Sequence, residues 1–440
     1  MPRLAVGVDP CQSEDSSVPG PVRTSRFLAA RHLQREGSDP HVCAPHLRAP
    51  GPPTPHRDAC AGAGSSSPLR LDAVSTGPSR RIGLSPSGDQ LTTLAGVHAV
   101  LPPYRYTQSE LTAAFTDLCL GPAGDQALLA RFHTNAKVGS RHLVLPLEQY
   151  ATLTTFNESN DLFITHAVQL GAQALTGALQ RAGIAPDEVD VVISATSTGI
   201  AVPSLDARIA ALVGLRPDVK RVPLFGLGCV AGAAGIARLH DYLLGHPDEV
   251  AALLSVELCS LTLQRGDRSV ANLVASGLFG DGAAAVVAVG ANRPEPGPHV
   301  LDSRSHLYPD SQSAMGWDVG AGGLKLVLGV QVPLIVRQYL GEDIRSFLAA
   351  HELQVQDVTT WVSHPGGPKV IEAIEAELDL AGNPLELTWR SLDQIGNLSS
   401  ASVLHVLRDT LDKCSFTPGT PGILMAMGPG FCSELVLLQW

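Results

Sequence analysis

The stretch Val222-Pro-Leu-Phe-Gly-Leu-Gly-Cys229-Val-Ala-Gly-Ala-Ala-Gly235 decides the reading of this chain. Its apolar start predicts a strand over 222–227, glycines turn the chain, and Cys229 opens a helix of very small residues over 231–244. Side chains this small let a helix lie deep against close-packed neighbours. A thiol at a helix start meets unpaired N–H groups and the positive end of the dipole, which favour its thiolate. The same residue type is also common as an inert, buried small hydrophobe. Taken alone, the stretch leaves both roles open.

Outward from it, strands are predicted over 189–195, 251–257, 283–289, 359–364, 422–427 and 434–438. Helices are predicted over 108–120, 161–182, 204–213, 325–340, 369–378 and 399–411. Alternating strands and helices predict α/β layering with a largely parallel sheet. The strands are near-continuous apolar runs, as expected where helices cover both faces. Residues 293–298 read as a seam between two halves. Residues 1–88 differ: 12 of the 33 prolines precede residue 80, and no apolar period is sustained apart from a possible short helix near 27–33. Such a segment cannot bury enough apolar surface to offset its ordering entropy, so it is expected to be a disordered extension. Cys11, Cys43 and Cys60 lie there with loose spacing, which reads as incidental cysteines in a tail far more readily than as a metal site.

Composition sets further bounds. With 440 residues, 44% hydrophobic and 17% charged, the chain can bury a large core. Its net charge of −11 argues against nucleic acid as a partner, because phosphate binding needs a basic stripe. Its apolar runs are strand-sized, so no membrane-spanning helix is expected. Eight cysteines make no disulfide framework, and a cytoplasmic location with reduced thiols is the expectation.

Two more stretches carry chemistry. In Trp361-Val-Ser-His364-Pro-Gly-Gly-Pro368 a strand ends in a histidine beside a tight turn, where α/β sheets often bind ligands. In Gln394-Ile-Gly-Asn397-Leu-Ser-Ser400 an asparagine precedes a helix with Ser399 or Ser400 as its cap. Singly, these read equally as a hydrogen-bonded core histidine and a turn asparagine. Together, in the order Cys, His, Asn, they resemble the chalcone-synthase-like, or type III, polyketide synthases of the thiolase superfamily, in particular bacterial members. Gly277-Leu-Phe279-Gly-Asp281 is similar to that family's gatekeeper loop, Met427-Gly-Pro-Gly-Phe431 to its C-terminal glycine-rich loop, and Thr198-Gly199-Ile-Ala-Val202-Pro203 to the turn that crosses its dimer interface. The sister ketoacyl synthases place Gln-Ala-Asn after the histidine, where this chain has Pro-Gly-Gly.

The resemblance implies a thiolase-like fold of two related α/β halves, residues 89–298 and 299–440, in an α-β-α-β-α arrangement. It implies an acyltransferase in which Cys229 is the nucleophile, paired with a His364 imidazolium, and His364 and Asn397 face a thioester oxygen. Acyl-CoA and malonyl-CoA are the implied substrates, a homodimer the implied assembly, and no cofactor or metal is implied. Phe279 is expected between CoA tunnel and reaction cavity, with Cys259 and Thr262 on a cavity-lining strand and Val202 at the cavity. Arg131, Lys137 and Lys369 are candidates for CoA. Lys369 in a first helical turn opposes the dipole, a conflict that a phosphate would resolve. Asp281 is expected to make structural hydrogen bonds. Trp317 and Leu326 depart from the plant pattern, so an aliphatic starter released as an α-pyrone or alkylresorcinol is expected. Two other readings stand beside this one: a ketoacyl synthase fed by an acyl carrier protein, and a non-catalytic thiolase-like scaffold.

Overall fold

The computed structural model describes residues 91–122 and 124–440. The expected disordered extension, the short helix near 27–33 and the three early cysteines therefore lie outside the described residues. The first half runs β1 (Thr92–Val100), β2 (Tyr104–Thr107), α1 (Gln108–Leu120), α2 (Gln126–Asn135), β3 (Ser140–Leu143), α3 (Leu147–Tyr150) and α4 (Phe156–Ala182). It continues through β4 (Val189–Ala195), α5 (Leu205–Val213), β5 (Lys220–Leu224), α6 (Ala231–Leu244), β6 (Val250–Leu258), α7 (Val270–Leu278) and β7 (Asp281–Val289). The rest comprises β8 (His299–Leu307), β9 (Met315–Gly320), β10 (Gly323–Leu328), α8 (Val332–Ile335), α9 (Gly341–Ala349) and β11 (Thr360–Ser363). It ends with α10 (Pro368–Leu378), α11 (Glu386–Ile395), α12 (Ala401–Lys413), β12 (Pro421–Gly428) and β13 (Cys432–Gln439).

Nine strands form one sheet in the order β11-β12-β13-β8-β1-β7-β6-β4-β5. The sheet is mixed, not largely parallel as expected. β4 runs parallel to β5 and β6, and β11 to β12, whereas every other neighbouring pair is antiparallel. A continuous apolar run reports burial on both faces, not strand direction. All nine residues of β7 are buried although both of its neighbours are antiparallel.

Helices α6 and α12 pack together and against strands of both arms of the sheet, sharing one core with Ile193, Leu253, Val286, Leu424 and Val436. The 27-residue α4 covers the outer face of the first arm through Leu170, Ala174, Leu175 and Ala178. Ile344, Phe347, Ile371 and Ile374 of α9 and α10 cover the outer face of the second. This gives the expected α-β-α-β-α order.

Local departures have local causes. Of the helix expected over 325–340 only the second part forms: residues up to Leu328 belong to β10, and α8 continues as a π-helical segment over Val336–Leu340. Leu324, Leu326 and Leu328 point inward while Lys325 and Val327 are exposed, so the true period is two. α4 starts a turn before the expected 161, because Thr155 and Glu158 form a reciprocal capping box. β5 ends at Leu224, three residues early, and Gly226 turns the chain at φ 94°. β1, β2, β3, α2, α3, α7, β8, β9, α9 and α11 were not expected.

Gly232 sets how closely α6 and α12 approach. A Cβ there would lie 2.3 Å from the Ser400 carbonyl oxygen and 2.6 Å from Val403. Backbone cannot yield as a flexible side chain does. We expect Gly232→Ala to lower the urea midpoint of unfolding by an amount equivalent to about 1–3 kcal/mol, the usual cost of overpacking.

Candidate active site

Cys229 sits in a tight turn over Gly228–Val230 that runs directly into α6. Gly228 adopts φ 52°, and a Cβ there would meet the Pro429 ring at 2.8 Å, so the turn needs glycine twice over. The thiol is buried and donates to the Ser399 hydroxyl at 3.7 Å. Burial pushes it up to about 12, against the pull of that hydrogen bond.

His364 follows β11, and its backbone N–H bonds to the Met425 carbonyl at 2.9 Å. Pro368 then occupies the first turn of α10. The ring is buried, and neither of its nitrogens has a hydrogen-bond partner. Burial alone pushes the imidazole down to about 3. Each group by itself is thus held neutral. A charge on either is favourable only with the opposite charge on the other.

Asn397 lies between α11 and α12. Its Nδ2 donates to the Gly366 carbonyl at 3.4 Å, and its Oδ1 accepts from the Ser399 N–H at 2.8 Å. Gly366 belongs to the turn after His364, so the carboxamide is tied to the histidine's own loop. Ser400 is the N-cap residue of α12, one of the two expected, but makes no side-chain capping bond. Ser399, at φ 49°, turns its hydroxyl to Cys229 and to Ser197.

Cys229, His364 and Asn397 line one cavity of about 590 Å³, together with Phe279, Lys137 and Lys369. A smaller chamber of about 60 Å³ adjoins it, lined by Cys229, Cys259, Thr262, Phe279, Trp317 and Leu326. Cys229 and Phe279 belong to both walls. Trp317 and Leu326 face each other across the β9–β10 ladder. Cys259 and Thr262 are not on a strand as expected: β6 ends at Leu258, and they form the following tight turn. Arg131 is exposed on α2 and lines neither cavity, and Val202 is 88% exposed and lines neither.

Sequence reasoning missed the polar groups behind Cys229. Glu257 is fully buried and accepts from the Ser197 backbone N–H at 3.0 Å and from the hydroxyls of Ser197, Thr198 and Ser400. Burial pushes its carboxyl up, against those donors. A lone glutamate inside the apolar run of β6 was the available signal. Asp281 accepts from Val144 and Ser260 N–H groups and from the Ser260 hydroxyl, the structural role expected of it. Among the described residues no His, Cys, Asp or Glu cluster suits a metal ion, and no helix is long and apolar enough to cross a membrane.

A buried thiol, imidazole and carboxamide on one cavity of an α-β-α-β-α fold define a thiolase-like condensing enzyme. Residues 131–293 match the N-terminal domain of the chalcone and stilbene synthases, and residues 300–440 match their C-terminal domain. The chain belongs to this family, the type III polyketide synthases, which use CoA thioesters and need no cofactor. It is 56% identical over 355 residues to a 1,3,6,8-tetrahydroxynaphthalene synthase of Streptomyces peucetius subsp. caesius, covering 80% of this chain and 94% of that protein. It is 34% identical to a putative chalcone synthase of Bacillus subtilis, covering 71% of this chain and 88% of that one. The crystal structure of 1,3,6,8-tetrahydroxynaphthalene synthase from Streptomyces coelicolor A3(2), a bacterial type III polyketide synthase, superposes with a TM-score of 0.75 at 29% identity, covering 79% of this chain and 99% of that one.

With His364→Ala, Cys229 is left as a lone buried thiol whose pKa burial pushes up to about 12. Its thiolate fraction at pH 7 is then small and grows about tenfold per pH unit. We expect iodoacetamide to alkylate Cys229 in this variant at least tenfold more slowly than in the wild type at pH 7, with the rate still climbing at pH 9.

Proposed function

We propose that Cys229 carries the growing acyl chain and that His364 and Asn397 stabilise the charge that develops on a thioester oxygen. The observation that carries this reading is the unpartnered His364 ring, facing the same cavity as Cys229 and the Asn397 carboxamide. Neutral buried groups left without partners are costly unless a ligand completes them. The Cys229 proton passes to His364, and the resulting ion pair makes the sulfur nucleophilic. The thiolate attacks the starter acyl-CoA, and CoA leaves as its thiol. A malonyl-CoA then loses CO₂, and the enolate oxygen accepts hydrogen bonds from His364 and Asn397. The enolate carbon displaces Cys229 from its thioester, forming one C–C bond and freeing the sulfur. The product is a CoA thioester two carbons longer, which reloads onto Cys229.

For the product we propose a polyhydroxylated aromatic built from malonyl units without a bulky starter. Support comes from the relative that is 56% identical, whose named product has hydroxyls spaced as repeated two-carbon additions leave them. The small chamber of about 60 Å³ beside Cys229 also favours a short starter. A second reading, an aliphatic starter released as an α-pyrone or alkylresorcinol, is favoured by the apolar walls Leu263, Met315, Trp317, Leu326 and Leu328. Phe279 divides the two spaces, and Lys137 and Lys369 at the larger one are the proposed contacts for CoA phosphates. A homodimer is proposed from the exposed Ile200, Val202, Leu212, Val222 and Phe225 around the edge strand β5, and a cytoplasmic location accompanies it.

Mass spectrometry of products formed from malonyl-CoA alone, and then with a panel of acyl-CoA starters, separates the two readings. We expect an aromatic product from malonyl-CoA alone. Product only in the presence of a fatty acyl-CoA supports the second reading instead. Cys229→Ala should abolish all polyketide while slow malonyl decarboxylation survives, and Asn397→Ala should slow decarboxylation about 10²–10³-fold.

A further inference from the structure

The C-terminus of α7 is capped in an unusual way. An α-helix leaves its last carbonyls without helical partners. Here the Ser276 carbonyl accepts from Arg141 Nη2 at 2.7 Å, and the Gly277 carbonyl accepts from Gln108 Nε2 at 2.6 Å. The Leu278 carbonyl accepts from the backbone N–H of Asn397 at 2.9 Å, and the Phe279 carbonyl accepts from Arg141 Nη1 at 2.6 Å. The Gln108 Oε1 in turn accepts from Arg141 Nη2 at 3.1 Å. Gly280 N–H closes the bridge onto the Asn397 carbonyl at 3.0 Å.

Arg141 therefore touches both sides of the site at once. Its guanidinium holds the peptide of Phe279, and its methylene stem packs against Gly396, where a Cβ would lie 3.0 Å from Arg141 Cγ and Cδ. Gly396 adopts φ 73° and immediately precedes Asn397. Arg141 is 1% exposed and lines the smaller chamber.

We propose that Arg141 is a positioning residue for condensation: its planar fork sets the Phe279 peptide and, through the bridge to Asn397, the carboxamide that faces the enolate. The proposal rests on the Asn397 role given above. It does not require Arg141 to touch substrate. A lysine keeps the charge but, as a point donor, cannot span both carbonyls in one geometry. Cys229 is carried by the turn before α6 and meets the Asn397 loop through its bond to Ser399, so its own reactivity should depend on Arg141 far less than the carboxamide does.

The test uses the full-length enzyme with Arg141→Lys and, separately, Gln108→Ala, which removes one carbonyl donor and one Arg141 acceptor on a half-exposed residue. Three rates are read on each: iodoacetamide alkylation of Cys229, conversion of malonyl-CoA to acetyl-CoA, and polyketide formation with its product distribution. A misplacement near 1 Å typically costs about 100-fold, so decarboxylation should fall about 10- to 100-fold in Arg141→Lys while alkylation stays within about twofold. Gln108→Ala should shift the same ratio in the same direction, by less, and it decides the matter where Arg141→Lys does not fold. Equal losses of alkylation and decarboxylation reveal only lost folded protein and overturn the proposal. Wild-type ratios in both variants overturn it too, while leaving the catalytic reading intact. A wild-type decarboxylation rate in Asn397→Ala overturns that reading itself.

Discussion

The close contact of α6 with α12 is the constraint on which the site depends. α6 carries Gly232, Ala233, Ala234 and Gly235 where a typical helix has bulk, and Gly232 lies against the Ser400 carbonyl. That approach brings Ser399 within hydrogen-bonding reach of Cys229 and lets Ser400 reach Glu257 on β6. Were the two helices a side chain further apart, the thiol and the Asn397 turn would face different spaces. Cys229 lies before residue 298, and His364, Asn397 and Ser399 lie after it, so the cavity forms only where these stretches meet.

Once joined, the halves enclose polar groups that cannot pay their way through solvent. His364 and Cys229 are each held neutral by burial. Glu257 is tethered by backbone and hydroxyl donors, so it orders Ser197 and Ser400 without competing for the cavity. The orphaned nitrogens belong to the one ring that faces both the thiol and the open space. A ring with both nitrogens unpartnered at a cavity is where reactivity can concentrate.

The substrate spaces divide along the same logic. Phe279 sits where the end of α7 meets the Asn397 bridge, so its placement is inherited from backbone bonds. The β9–β10 hairpin supplies Trp317 and Leu326 as a removable wall, paired to each other but to no strand of the main sheet. Cys229, His364 and Asn397 therefore rest on buried elements, while part of the chamber wall comes from a two-stranded ribbon outside the main sheet.

Local chemistry was legible in the amino-acid order: the turn before Cys229, the proline and glycines after His364, and the glycine before Asn397 each announce a special backbone position. Continuous apolar runs likewise announced a sheet covered on both faces. Strand direction was not legible, because two-sided burial looks the same in parallel and antiparallel neighbours. The 325–340 segment misled for a similar reason, since leucines two apart satisfy either period over a short run. Ser399, Glu257 and Arg141 are placed largely by contacts with residues distant in sequence, such as Cys229, Thr198 and Phe279. Which side chains share a chamber is a property of packing between halves, and no local pattern encodes it.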